Sequence, residues 1–164
     1  MNEKARSRPE GGRTTARLPA GGFTFIELMI VVLLIGILTA IAMPYYGDWR
    51  NRVKTEQATS EIIGNEAIVE TYVALNKALP NSLADIPQAR LVDPWGRPYV
   101  YYNIAANGKG GARKDHALNP LNTDYDLYSV GPDGLTKPQI TQKDSVDDVI
   151  RAGDGGYVGQ AAGF

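Results

Sequence analysis

Hydrophobic and polar positions change character along this chain, and each change marks a boundary. From Phe23 to Met43 nearly every residue is apolar, with Thr24, Glu27 and Thr39 as the polar exceptions. A run of this length reaches the roughly 20 apolar residues that a helix needs to cross a bilayer. From residue 44 to about Ala78 the pattern becomes one-sided. Ala58, Ile62, Val69, Tyr72 and Val73 recur at helical spacing, and Ile63 and Ala67 widen the stripe. Arg50, Arg52, Lys54, Glu56, Glu61, Glu66 and Glu70 take the remaining positions. The stripe predicts an amphipathic helix packed on the domain that follows. Pro44 stands at the junction. It cannot donate a backbone hydrogen bond to the carbonyl of Ala40, which predicts a bend or a local loosening of the helix.

After Leu79 the period changes again. Leu79-Pro80-Asn81-Ser82 ends the long helix, and Ser82 is placed to cap a short turn reaching Ile86. Val92-Asp93-Pro94-Trp95-Gly96-Arg97-Pro98 reads as a turn. Tyr99 to Ile104 and Asp124 to Val130 are β-branched and aromatic runs that predict strands, with a Gly- and Lys-rich loop tip over 105–115. Few strands packed on one helical stripe make a small α+β domain with an antiparallel sheet. The expected parts are 1–22, 23–43, 44–78 and a loop-rich 79–164 that ends in a Gly-rich tail from Arg151.

Charge refines this picture. The net charge of the 164 residues is −1, which gives no sign of nucleic-acid binding. Locally, Lys4, Arg6, Arg8, Arg13 and Arg17 outweigh Glu3 and Glu10 just before the apolar run. The positive-inside tendency then puts residues 1–22, expected to be disordered, in the cytoplasm and the rest outside. Ala40-Ile41-Ala42 has the small-x-small form of a signal-peptidase site, so secretion of a soluble protein cleaved after Ala42 is an alternative. Against it stand the length of the apolar run, beyond the usual 7–15 residues, and Glu27 near its start.

Candidate chemistry is sparse. There is no cysteine, hence no disulfide or thiolate. His116 is the only histidine and sits in the Gly/Lys-rich loop, a surface position by default. Ser129 has no histidine placed beside it for a hydrolase triad. Trp95, Tyr99, Tyr101 and Tyr102 are expected to pack in the core and between strands. No enzyme is expected. Glu27 is the costly residue, at about 2.5–3.5 kcal/mol for an acid at a membrane-helix centre and less near an end. It calls for a cation. The second acidic feature is a turn, Val130-Gly131-Pro132-Asp133-Gly134, followed by Asp144-Ser145-Val146-Asp147-Asp148-Val149. Hard cations such as calcium take carboxylate and carbonyl oxygens from loops of this kind, although the spacing is not that of an EF-hand. A solvated acidic loop is the other reading.

Gly22-Phe23-Thr24-Phe25-Ile26-Glu27-Leu28 resembles the processing signal of the type IV pilin superfamily. Within it, Asp93-Pro94-Trp95-Gly96-Arg97-Pro98-Tyr99 and Asp126-Leu127-Tyr128-Ser129-Val130-Gly131-Pro132-Asp133-Gly134 resemble the major pseudopilins of type II secretion. The resemblance implies a pilin-like fold and cleavage by a prepilin peptidase between Gly22 and Phe23, with N-methylation of Phe23. It implies a homo-oligomeric helical filament, the pseudopilus, built from the inner membrane into the periplasm with minor pseudopilins, an assembly platform and a secretion ATPase. Glu27 would meet the amine of Phe23 in the same or a neighbouring chain, and Pro44 would mark the bend of the packed helices. The resemblance also implies calcium tying the acidic loops, held by Asp133 and Asp148 with the Val130 carbonyl and the further candidates Pro132, Val149 and Asp147. A type IV pilin or minor pilin for adhesion, motility or DNA uptake is the alternative within the superfamily. The tail from Arg151 extends past the usual family end.

Overall fold

The computed structural model describes residues 22–164. The leader expected over 1–22 therefore lies outside the described residues, Gly22 excepted. Helix α1 runs over Phe25–Asn76 and continues through Pro44 without a break. The chain divides into two units, one ending at Ile41 and the other covering Ala42–Phe164. In the first unit the helix carries apolar side chains on all sides, and all of them are exposed. An 18-residue window there has a mean hydropathy of 2.8.

The second unit is α+β. Strands β1 (Val100–Asn103), β2 (Tyr125–Ser129), β3 (Val149–Ala152) and β4 (Tyr157–Gln160) form one sheet in the order β1-β2-β3-β4. Every neighbouring pair is antiparallel. The two strands read from the sequence are β1 and β2, each trimmed at its ends. The Gly-rich tail is a correction. Its residues make half of β3 and all of β4, and they pair Arg151 with Val158 and Ala152 with Tyr157. The connection turns through Gly153, Asp154 and Gly155, all at positive φ, so two apolar runs around a glycine turn form a hairpin rather than a loose end.

Side chains alternate across the sheet, as the two-residue period of a strand requires. Tyr125, Leu127 and Val149 face α1 and pack with Ala58, Ile62, Val69, Leu83, Ile86 and Tyr99. Tyr128, Ile150 and Ala152 face the other way and pack with Leu121, Ile140 and Ala161. The stripe on α1 is narrower than its sequence suggests. Ile63 and Ala67 are exposed, and Asn65 is buried in their place. Asn65 is held because it mimics a strand edge: its Nδ2 donates to the Arg90 carbonyl at 2.9 Å and its Oδ1 accepts from Arg90 N at 2.8 Å. The turn at Ser82 forms as expected. Leu83–Asp85 is a single 3-10 turn closed by a capping box between Ser82 and Asp85.

The sheet is joined to α1 by a buried arginine. Arg151 on β3 donates from Nε to Glu66 at 2.7 Å and from Nη1 to Asp124 at 2.8 Å. It also donates to the Tyr125 carbonyl at 3.1 Å and lies 4.1 Å over the Tyr125 ring. Glu66, which the helical pattern assigns to solvent, is thus a partner of the sheet.

The face assignment is testable on two adjacent isoleucines. Ile62→Ala should lower the free energy of unfolding in denaturant by about 2–5 kcal/mol. Ile63→Ala should stay within about 0.5 kcal/mol. Equal losses at the two positions would mean that α1 presents a different face to the sheet.

Candidate functional site

Two segments carry the chemistry read from the sequence. The first is the start of α1. Thr24 precedes the helix, and Glu27 lies in its first turn. Glu27 N donates to Thr24 Oγ1 at 3.3 Å, and Thr24 N donates to Glu27 Oε2 at 3.4 Å. This reciprocal pair is a capping box, which satisfies two of the free N–H groups at a helix start. Thr-x-x-Glu is legible in the sequence, so the box was within reach of sequence reasoning. Glu27 therefore has a local partner within its own chain, and its carboxylate also sits favourably at the positive end of the helix dipole. Phe23 is exposed beside it.

The second is the corner where the loop after β2 meets the loop before β3. Gly131 sits at φ +66°, and a Cβ there would stand 2.5 Å from the Asp147 carbonyl oxygen. The two acidic loops do face each other. Asp133 N donates weakly to Asp147 Oδ2 at 3.4 Å. Burial raises the Asp147 carboxyl above its ordinary range, and the charge of Asp133 adds to the shift. Asp133 itself is exposed, and its Oδ1 accepts from Leu135 N at 2.8 Å.

Asp148 is placed differently. Its side chain is fully buried, and Oδ2 accepts from Arg113 Nη2 at 2.6 Å and from Thr136 Oγ1 at 2.7 Å. Burial pushes this carboxyl up to about 6, against the opposing pull of Thr136 and Arg113. The Pro132 carbonyl accepts from Arg97 Nη2 at 3.2 Å, and the Gly131 carbonyl accepts from Arg97 Nη1. Val149 is taken into β3, opposite Ser129 and Gln160. The atoms of this corner without a partner are Asp147 Oδ1, Asp148 Oδ1 and Arg113 Nε. Among the described residues no group of three or more acidic or histidine side chains is set to hold a metal ion. Calcium takes six to eight oxygens. As arranged, with two guanidinium groups already on its oxygens, the corner falls short of that set.

The turn over 92–98 supports this corner from below. Asp93 is buried; its Oδ1 accepts from Trp95 N at 3.0 Å and Arg97 N at 2.8 Å, and its Oδ2 accepts from Ser129 Oγ at 2.5 Å. Ser129 is thus committed to holding β2 against the turn. His116 is exposed. Tyr99 is buried with its hydroxyl on Glu61 at 2.7 Å, and Tyr101 packs against Tyr125 with ring centroids 5.3 Å apart. Sequence reasoning did not single out Arg97, Arg113 or Arg151. Arg97 and Arg113 lie in a turn and a loop, which have no periodicity to reveal their contacts, and Arg151 falls where the sequence reads as a Gly-rich tail.

Comparison with known proteins bears on both segments. Residues 18–43 match the prokaryotic N-terminal methylation motif, the segment that holds Gly22, Phe23 and Glu27. The chain is 30% identical to type II secretion system core protein G of Pseudomonas aeruginosa over 139 residues, which is 72% of this chain and 87% of that protein. The chain belongs to the type II secretion system core protein G family. It is also 30% identical to core protein G of Escherichia coli over 134 residues, 69% of this chain and 82% of that one. A fimbrial protein of Pseudomonas aeruginosa is 44% identical over 61 residues, but these make up only 37% of this chain and 40% of that protein. No solved structure matches the chain. The core protein G likeness covers about twice as much of the chain as the fimbrial one.

Asp93 offers a test of the turn. Asp93→Ala leaves two backbone N–H groups and one hydroxyl without their acceptor, and should destabilise the protein by about 3 kcal/mol. Asp93→Asn keeps an acceptor for the N–H groups and should lose less than half as much. Denaturation midpoints decide it, and equal losses would remove the hydrogen-bond account.

Proposed function

We propose that this chain is a structural subunit of the pseudopilus of a type II secretion system. The observation that carries this reading is the family relationship along most of the chain, joined to the methylation motif at residues 18–43. The apolar unit fits it. A helix that exposes apolar side chains all round needs lipid or other helices around it. Before assembly, Phe23–Met43 spans the inner membrane with the sheet domain on the periplasmic side. After assembly, the same residues pack against those of neighbouring copies. Gly36, Thr39, Ala40 and Ala42 are small enough to let helices approach closely. The contact is heterologous and does not close, so it propagates as a filament. A prepilin peptidase cuts after Gly22 and methylates Phe23, and the protein works as a scaffold rather than an enzyme. Pro44, whose missing hydrogen bond weakens the helix locally, is where the packed helices open.

Glu27 has two roles in this account. Within a chain it caps α1; between chains it pairs with the amine of Phe23 on the incoming subunit. Glu27→Gln separates them, because glutamine can still cap a helix start while losing the charge. Both Glu27→Gln and Glu27→Ala should insert and be processed, with filament yield down about tenfold, the effect of about 1.4 kcal/mol per contact. Normal assembly of Glu27→Gln alongside failure of Glu27→Ala would leave capping as the only role.

The processing step has its own readout. Mass spectrometry of the mature protein should find methylated Phe23 at the N-terminus. Met43 at that position would overturn the subunit reading in favour of a secreted protein.

A further inference from the structure

The second hydrophobic face of the sheet is closed by one side chain that the family relationship leaves unexplained. Arg113 lies in the loop that crosses this face, and its side chain is 4% exposed. Its guanidinium is 4.3 Å over the ring of Tyr128 on β2. From there it reaches three segments: Nη2 donates to Asp148 just before β3 at 2.6 Å, and Nη1 donates to Thr136 Oγ1 and to the Lys137 carbonyl at 3.0 Å. Its backbone is fixed as well. Arg113 N donates to Asp126 Oδ2 at 2.6 Å, and its carbonyl accepts from Leu121 N at 2.8 Å.

We propose that the Arg113 guanidinium is the resident cation of the acidic corner, and that it cross-links the loop after β2 to the loop before β3 without calcium. The geometry carries this in three ways. The position is adjacent, because Arg113 joins 136–137 to Asp148 within the β2–β3 connection whose acidic ends a bound ion would have to tie. The pairing is direct, because the fully buried Asp148 carboxylate meets a buried cation that cannot lose its proton. A divalent ion placed on Asp148 would have to approach a guanidinium at hydrogen-bond distance, with like charges in a low-dielectric site. Finally, the unpartnered atoms include Asp148 Oδ1 and Arg113 Nε, which belong to the same ion pair. A bidentate arginine–carboxylate pairing would use both. Arg97 acts alike on the neighbouring turn, where the Gly131 and Pro132 carbonyls accept from it. Two guanidinium groups thus occupy oxygens that a metal would need. Failure of this proposal would leave the pseudopilus reading intact, because it concerns only how the domain closes.

The test is thermal unfolding of the full chain in detergent, in EGTA and with calcium at about 10 mM, above the dissociation constants of weak extracellular sites. The melting temperature should be the same in both. A rise of about 5 °C or more with calcium, the size expected for a bound ion in excess, would overturn the proposal. Arg113→Met should lower the melting temperature by about 5 °C or more in either buffer, because it strands a buried carboxylate. Adding Asp148→Asn to Arg113→Met should recover at least half of that loss, since the unpaired charge is then gone. An Arg113→Met protein that melts like the wild type, or a double variant no better than the single one, would also overturn it. If Arg113→Met does not fold, Arg113→Lys serves: it keeps the charge but loses the planar fork, and should melt below the wild type with or without calcium.

Discussion

The domain depends on how it buries the charge of Arg151. Its guanidinium lies between the sheet and α1, where a lone charge would be expensive. Glu66 from the helix, Asp124 from the loop before β2, and the carbonyl and ring of Tyr125 together neutralise it and take up its donors. The partners come from two distant parts of the chain, Glu66 on α1 and Asp124-Tyr125 at the start of β2. The ion pair therefore does more than add stability: it sets the register of the helix against β3, because a shift of either element would strand a buried charge. Around it the apolar residues Ala58, Ile62, Val69, Leu127 and Val149 supply the non-directional attraction. The arginine supplies direction.

The same device recurs on the opposite face. There Arg113 lies over Tyr128 and ends on Asp148, as Arg151 lies over Tyr125 and ends on Asp124 and Glu66. A small sheet without disulfides has limited means to hold long loops. Two buried arginines, each stacked on a tyrosine and each joined to carboxylates, let this chain close loops that carry little hydrophobic surface. The buried Asp93 does the converse, an anion held by backbone N–H groups and Ser129.

The apolar half of α1 follows a different logic. It has no core of its own, so its stability is conditional on surroundings that exclude water, which lipid or other helices can supply. The capping box of Thr24 and Glu27 satisfies two N–H groups at the helix start from within the chain itself.

Much of this was legible in the sequence. The apolar segment, the one-sided helix, β1, β2 and the Ser82 turn all rest on local patterns of polarity and capping, which the chain writes along its length. The segment that matches the methylation motif was legible too, since a glycine, a phenylalanine and an acid in one apolar run are local. The rest was not. Ile63 and Asn65 exchange burial because only the position of the Arg90 backbone makes an asparagine better placed than an isoleucine. The Gly-rich tail becomes β4 because β3 offers it an open edge. Asp148 pairs with Arg113, 35 residues away, because the sheet brings the two loops over one tyrosine. Local chemistry sets where elements start and stop. Which charges find each other depends on distances that exist only once the chain has folded.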